Sequence, residues 1–419
     1  MRNIQCLKEF YILEVSLRHC KKYMKFPFSR IWGSFSRWSF CILMANTGYV
    51  SAQQTEWVYH KTADGQHPSA LEQQMVWLMN HARANPAEEG NFLADTGDRE
   101  IDIGILQFLV NLNRMKSEFK TIKPAPPATF DRRLYDASRQ HAEYMIQRND
   151  QTHDRQNEFL NDCGFDWQDA RLSIYAYGSN ALMTHAALNI DFGGPPSEGG
   201  MQEGRGHRVA IMSMLPNVDL SSVGLALVAE NNPFTQLGPY VFSGVYASAY
   251  VGYVPDNYNR FIVGTAWTDR NGNGRYDPGE GLNGVRVQLD RGRYYAVTGV
   301  AGGFSIPVFG TGKYVITYSG GEFPGTRFWQ VHLGNASVLA EGETSTLATA
   351  PPVPPAATLR RESPGSMMLS WVGGKGPWQV QEAETVKGPW RNADSVTQET
   401  SVVIPTTEKS KFFRVVSPD

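Results

Sequence analysis

The apolar residues of this chain change period once, and that change constrains the fold more than any other feature. Before it they recur at helical spacing. Ser69-Ala-Leu-Glu72 is a capping box, and Leu71, Met75, Leu78, Met79 and Ala82 follow on one helical face until Asn85-Pro86 ends the run. Asp131 is a good N-cap for a second helix, whose stripe is Leu134, Ala137, His141 and Met145. A third spans 181–190 and is closed by Gly193-Gly-Pro-Pro196. Residues 222–229 and 240–246 then read as two strands around the turn signal Asn231-Asn-Pro233. Beyond a connection at 250–259 every periodic segment is strand-like, at 261–267, 285–289, 314–318 and 328–331.

A chain of 419 residues exceeds one ordinary core. The expected organisation is α+β: a mixed domain over 70–250, then a small β-sandwich over 260–345. Pro351-Pro-Val-Pro-Pro355 lies in a stiff linker, 346–356, because consecutive prolines favour polyproline II and cannot donate to a ladder. Strand-like runs at 368–371, 378–381, 401–404 and 411–415 make 357–419 a last small β module, which resembles fibronectin type III domains.

Residues 1–52 read as a targeting segment, with Met24 as the expected start. Lys25, Arg30 and Arg37 precede the apolar run 38–50, and Val50-Ser-Ala52 offers a signal-peptidase site. The run falls short of the ~20 residues a spanning helix needs, so a cleaved signal is expected rather than an anchor. The mature chain is then secreted or in the cell envelope, with no transmembrane segment. Cys6, Cys20 and Cys41 fall in the removed part, and Cys163, left alone, reads as a small apolar group rather than a nucleophile. A net charge of -2 with interspersed signs gives no footprint for nucleic acid, and a monomer is expected.

Three stretches of the mixed domain carry a resemblance. They are Leu78-Met-Asn-His-Ala-Arg-Ala-Asn-Pro86, then Leu134-Tyr-Asp-Ala-Ser-Arg-Gln-His-Ala-Glu-Tyr-Met145 with His153 following, and Gly206-His-Arg-Val-Ala-Ile-Met212 with the strand 223–227 after it. In order and spacing they resemble the CAP superfamily (SCP/PR-1-like proteins, bacterial type). The resemblance implies an α-β-α sandwich with His153 and His207 facing each other across a cleft, and Asp191 as the acidic partner, with Glu198 and Glu203 of the following loop as secondary candidates. Where the family has Gly-Glu-Asn this chain has Gly178-Ser-Asn180, so Ser179 replaces a carboxylate. Zinc or another divalent metal in that cleft would lose a ligand, since a hydroxyl is a poorer donor and no base at neutral pH. His141 and His185 read as structural, Arg208 as a helix-surface or ion-pairing residue, and 195–206 as a flexible loop able to act as a lid.

Asp269-Arg-Asn-Gly-Asn-Gly-Arg-Tyr-Asp-Pro-Gly-Glu280 matches the twelve-residue calcium-loop pattern at every constrained position. Asp269, Asn271, Asn273, Asp277 and Glu280 would supply side-chain oxygens, Arg275 its carbonyl, and Gly274 the sharp turn. Strand-like flanks set it apart from an EF-hand, and the run from Asp269 to Val287 resembles the SdrD B-like (Cna-B-related) repeats of bacterial surface proteins. The expected function is a ligand- or partner-binding module, for a small molecule, lipid or protein, with a calcium-stabilised β-domain. The alternatives are a metal-dependent hydrolase built on His153 and His207, and a structural adhesion protein with an inert cleft. No G-x-S-x-G, H-E-x-x-H or P-loop competes.

Overall fold

The computed structural model describes residues 54–252, 256–349, 356–363, 366–372, 376–385, 387–405 and 411–416. The expected signal segment, its cleavage site and the proline run lie outside the described residues. The architecture mixes helices with several small sheets, and no helix among the described residues is long and apolar enough to cross a membrane.

The described residues open with a short strand, β1 (Thr55–Glu56), and then form α1 (Ala70–Ala84). Ser69 caps α1 reciprocally: Glu72 N–H donates to the Ser69 hydroxyl, and the Glu72 carboxylate accepts from Ser69 N–H at 2.7 Å. Asn85 closes α1 and caps α2 (Pro86–Leu93), whose proline sits at the first turn where a missing N–H costs nothing. Next come α3 (Arg99–Gln107), α4 (Leu112–Thr121), β2 (Thr129–Phe130) and α5 (Arg132–Arg148), the last capped by Asp131. After α6 (Gln156–Asp162), β3 (Trp167–Gly178) and α7 (Ala181–Ala186), a π turn at Ala187–Asp191 leads towards α8 (Gly206–Ile211). The unit ends with β4 (Ser222–Ala229) and β5 (Tyr240–Ala249).

Strands β2, β4, β5 and β3 form one sheet in that order, parallel at β2–β4 and antiparallel elsewhere. Alternation along β5 sends Phe242 and Tyr246 to one face, into the core of α1, α7 and α8, and Val241, Val245 and Ala247 to the other, against α5 and α6. Helices therefore cover both faces. Arg83 and Arg208, both fully buried, pin loops to this frame: Arg83 donates to the carbonyls of Ile211 and Leu220, Arg208 to those of Asn189 and Ile190. Arg208 is thus no surface residue; its remaining charge meets Glu118 at 2.6 Å.

The β-domain follows with β6 (Phe261–Trp267), β7 (Arg286–Leu289), β8 (Tyr294–Val297), β9 (Gly303–Pro307), β10 (Gly312–Ser319), β11 (Thr326–Leu333), β12 (Val338–Leu339) and β13 (Gly342–Glu343). One sheet runs β1-β8-β7-β10-β11 and the other sets β6 between β12 and β13, with β9 also on β6. Their shared core includes Ile262, Val287, Ile316 and Trp57, so residues before α1 belong to this domain as well. Leu347 is packed in the same core, inside the stretch read as linker. The last module holds β14 (Ala356–Ser363), β15 (Ser366–Val372), β16 (Gln379–Ala383), β17 (Arg391–Asn392), β18 (Ser401–Pro405) and β19 (Phe412–Val416). Its sheets, β14-β15-β18 and β17-β16-β19, close on Leu369, Trp371, Trp378, Val380 and Val415.

Candidate functional site

His207 stands at the start of α8, after a residue in left-handed conformation, Arg205 (φ 52°). Its Nδ1–H donates to Asp191 Oδ1 at 2.7 Å and its backbone N–H to Asp191 Oδ2 at 3.2 Å. Asp191 is wholly buried at the end of the π turn, with φ 69°, a conformation that costs a non-glycine residue roughly 1 kcal/mol or more. Its carbonyl accepts from Gln202 N–H at 2.7 Å. Every polar atom of Asp191 beyond its own N–H is therefore committed to holding His207 and the following loop, and the imidazole keeps one edge toward solvent.

The loop 195–206 is tied down rather than free. Arg114 and Arg205 both reach Glu198, and Glu118 gathers Arg114, Arg205 and Arg208. Burial opposes ionisation of Glu118, but the guanidiniums of Arg205 and Arg208 outweigh it and hold its carboxyl below the usual range.

His153 lies elsewhere. It follows α5, is exposed, and donates from Nδ1 to Gln156 Oε1 at 2.7 Å. Gln156 is buried and bonds Ser243, which also holds His141 at 3.0 Å, on the α5 side of the sheet. His207 belongs with α8 on the other side, and no hydrogen bond or ion pair among the described residues joins it to His153. The hydroxyl of Ser179 is buried without a hydrogen-bond partner among the described residues, while Asn180 caps α7 and reaches Asp98. No group of three or more His, Cys, Asp or Glu side chains among the described residues is arranged to hold a metal ion. Of the residues the resemblance offered for a divalent metal, His207 and Asp191 are the two joined by a hydrogen bond.

Of the residues read as structural, His141 is fully buried, and burial drives its imidazole down to about 4. His185 is buried against Glu89 at 2.7 Å, with Asn189 on the same carboxylate oxygen at 3.0 Å. The Cys163 thiol is half-buried, pushed up by burial, and donates to Leu160 O. The Glu89–His185–Asn189 cluster carries no local sequence signature, because its members come from α2, α7 and the π turn.

The loop 269–280 is built almost wholly from side-chain oxygens closing on backbone N–H groups. Asp269 accepts from Gly272 and Gly274, Asn271 from Asn273, and Asn273 from Arg275, at 2.7–3.0 Å. Glu280 takes Arg270 N–H and Asp277 N–H, both at 2.8 Å. Gly272 (φ 74°) and Gly274 (φ 73°) allow the ring to close. Asp277 Oδ2 is satisfied by the amides of Asn271 and Asn273 at 2.7 Å. The donor chemistry suits a hard cation, which would replace those two amide–carboxylate bonds. The loop is also docked on α1: Gln74 donates to Asp277 Oδ1 at 3.1 Å, Tyr276 is buried among Trp77, Leu78 and Trp267, and the Arg275 guanidinium lies 3.5 Å over the Phe92 ring of α2.

No family model and no curated protein matches the chain. Solved structures similar to parts of it include a cytokine receptor complex, at 13% identity over 37% of this chain and 88% of the other with a TM-score of 0.14. Another is the chicken CNTN1 FN1-FN3 domains, at 11% identity over 46% of this chain and 81% of the other with a TM-score of 0.13. At such TM-scores neither likeness bears on the fold or activity of this chain.

Proposed function

We propose that the chain is an exported, multi-domain binding protein, in which a CAP-type α-β-α unit presents a ligand or partner site and a calcium-stabilised, SdrD B-like β-domain holds that unit in place. The last module is read as fibronectin III-like. The observation that carries the reading is the His207–Asp191 pair: a buried carboxylate orients an imidazole whose free edge meets solvent, on a frame pinned by Arg83 and Arg208, the arginines of the motif stretches that suggest CAP. An oriented imidazole of this kind offers one directional hydrogen bond to a ligand. Binding is read ahead of hydrolysis because Ser179 stands where the resemblance places a glutamate, and a hydroxyl is no base at neutral pH.

The test uses the full chain, cut or uncut at Ala52. Vesicle flotation and sterol, peptide and ester panels are run with wild type and His207→Ala, with and without chelator. Saturable binding lost in His207→Ala, without turnover, supports the reading. Chelator-sensitive turnover would replace it with a hydrolase, and neither binding nor turnover would leave a structural role. For the loop, terbium or calcium titration of wild type against Glu280→Gln decides cation binding directly.

A further inference from the structure

We infer that the cavity between α1–α2 and the loop 269–280 is a binding site for a small zwitterion, a free α-amino acid. The cavity has a volume of about 230 Å³. Its walls come from different parts of the chain and carry opposite charge: Glu88 and Glu89 on α2, Arg275 on the loop.

The acidic wall is anchored. Glu89 is 5% exposed, and one carboxylate oxygen is fixed by His185 and Asn189. The other oxygen takes no hydrogen bond among the described residues. A buried carboxylate with one oxygen held and one uncommitted is a receptor for an ammonium N–H. The basic wall is equally poised. The Arg275 guanidinium is placed by the Phe92 ring beneath it, its backbone is held by Asn273, and no hydrogen bond or ion pair among the described residues engages its N–H groups. A planar guanidinium with a full set of free donors suits a carboxylate. Trp77 also lines the cavity, 3% exposed, and its buried Nε1 has no hydrogen-bond partner among the described residues.

The same geometry excludes other small ligands. A sugar needs a free aromatic face, but His81 stacks on Trp77 at 3.7 Å and Arg275 covers Phe92. A lipid tail needs an apolar lining, and most of the residues here are polar or charged. A ligand carrying both charges has a partner of opposite sign on each wall. This site is separate from His207 and does not require calcium in the loop.

Isothermal titration calorimetry of the full chain with each of the twenty proteinogenic amino acids tests it. The tightest binder should lose about tenfold or more in affinity when its amine is acetylated or its carboxylate amidated, the order expected for one charge-assisted hydrogen bond. Arg275→Gln, which keeps the Arg275 N–H bond to Asn273, should reproduce the second loss, with an unchanged far-ultraviolet circular dichroism spectrum and cooperative melting reporting an intact fold. Affinity should be the same in His207→Ala. Absence of binding by all twenty at millimolar concentration overturns the proposal, as do blocked forms that bind equally well, indifference to Arg275→Gln, or loss of binding in His207→Ala.

Discussion

His207 and the loop 269–280 are held in opposite ways. The imidazole is oriented by Asp191, and the surrounding turns are pinned by Arg83 and Arg208, so its frame depends on groups far apart in the chain. The loop is held mainly by its own residues, with side-chain oxygens bonding N–H groups two to ten residues away and one outside hydrogen bond, from Gln74 to Asp277 Oδ1. A site of the first kind fails when distant packing fails. One of the second kind fails chiefly when its own residues change.

The largest effect should come from the long-range frame. Arg83→Leu leaves the carbonyls of Ile211 and Leu220 buried without donors, and should cost about 3–5 kcal/mol in chemical denaturation. A loss below about 1 kcal/mol would mean that the frame does not depend on it.

Acid should act next, through His141 in the same unit. Its folded-state value of about 4 lies below the ordinary 6.5, so the unfolded chain binds the proton more readily. The contribution is complete above the unfolded value and is lost as pH falls from 6.5 toward 4. By pH 5 the unit should have lost about 2 kcal/mol through this group. Denaturation curves at pH 7 and 5 should differ less for His141→Gln; equal differences would remove His141 as the cause.

The loop should respond more weakly and alone. With a site of ~10⁻⁴ M, millimolar calcium adds about 1–2 kcal/mol to the full chain. Glu280→Gln should abolish that gain while leaving the NMR chemical shifts of the His207 ring unchanged at fixed pH. Displaced His207 resonances would show that the two regions are not independent.

The smallest effect separates the loop from its dock. Gln74→Leu removes the hydrogen bond to Asp277 Oδ1 and should cost about 1 kcal/mol, with calcium affinity altered by less than about tenfold. A larger change in affinity would make α1 part of the cation site.

What was readable in the sequence followed the range of the interactions. Ser69 and Asp131 cap helices through bonds within three residues, and the loop pattern places its donors over twelve positions, so local spacing displays them. Helix α1 shows where this stops. Its pattern reads as one apolar face and one wet face, yet Gln73 and Gln74 are buried too, bonded to Thr265 and Asp277 of the β-domain. Short polar side chains that meet a partner nearly two hundred positions away look the same in a sequence as those that meet water. Strand β3 was missed for a related reason: it is an edge strand with exposed Trp167, Gln168 and Arg171, so its alternation is weak. The expected pairing of His153 with His207 rested on a family's spacing, and the hydrogen bonds here assign the two imidazoles to different networks.

Strand β1 has a consequence for how the molecule is made. It pairs in parallel with β8, Thr55 opposite Tyr294, and brings Trp57 into a core otherwise supplied from residue 261 onward. The α/β unit is thus an insertion between the first strand of the β-domain and the rest. During vectorial synthesis or export, the leading segment waits unpaired while some 240 residues emerge, and loop closure over that span is slow. The inserted unit, with its nearer contacts, can condense first and bring the two flanks together, acting as an internal template for the domain that encloses it. If the chain is cut near Ala52 as proposed, a cut only a few residues further on would damage the β-domain, by removing a strand from one sheet and the tryptophan from its core.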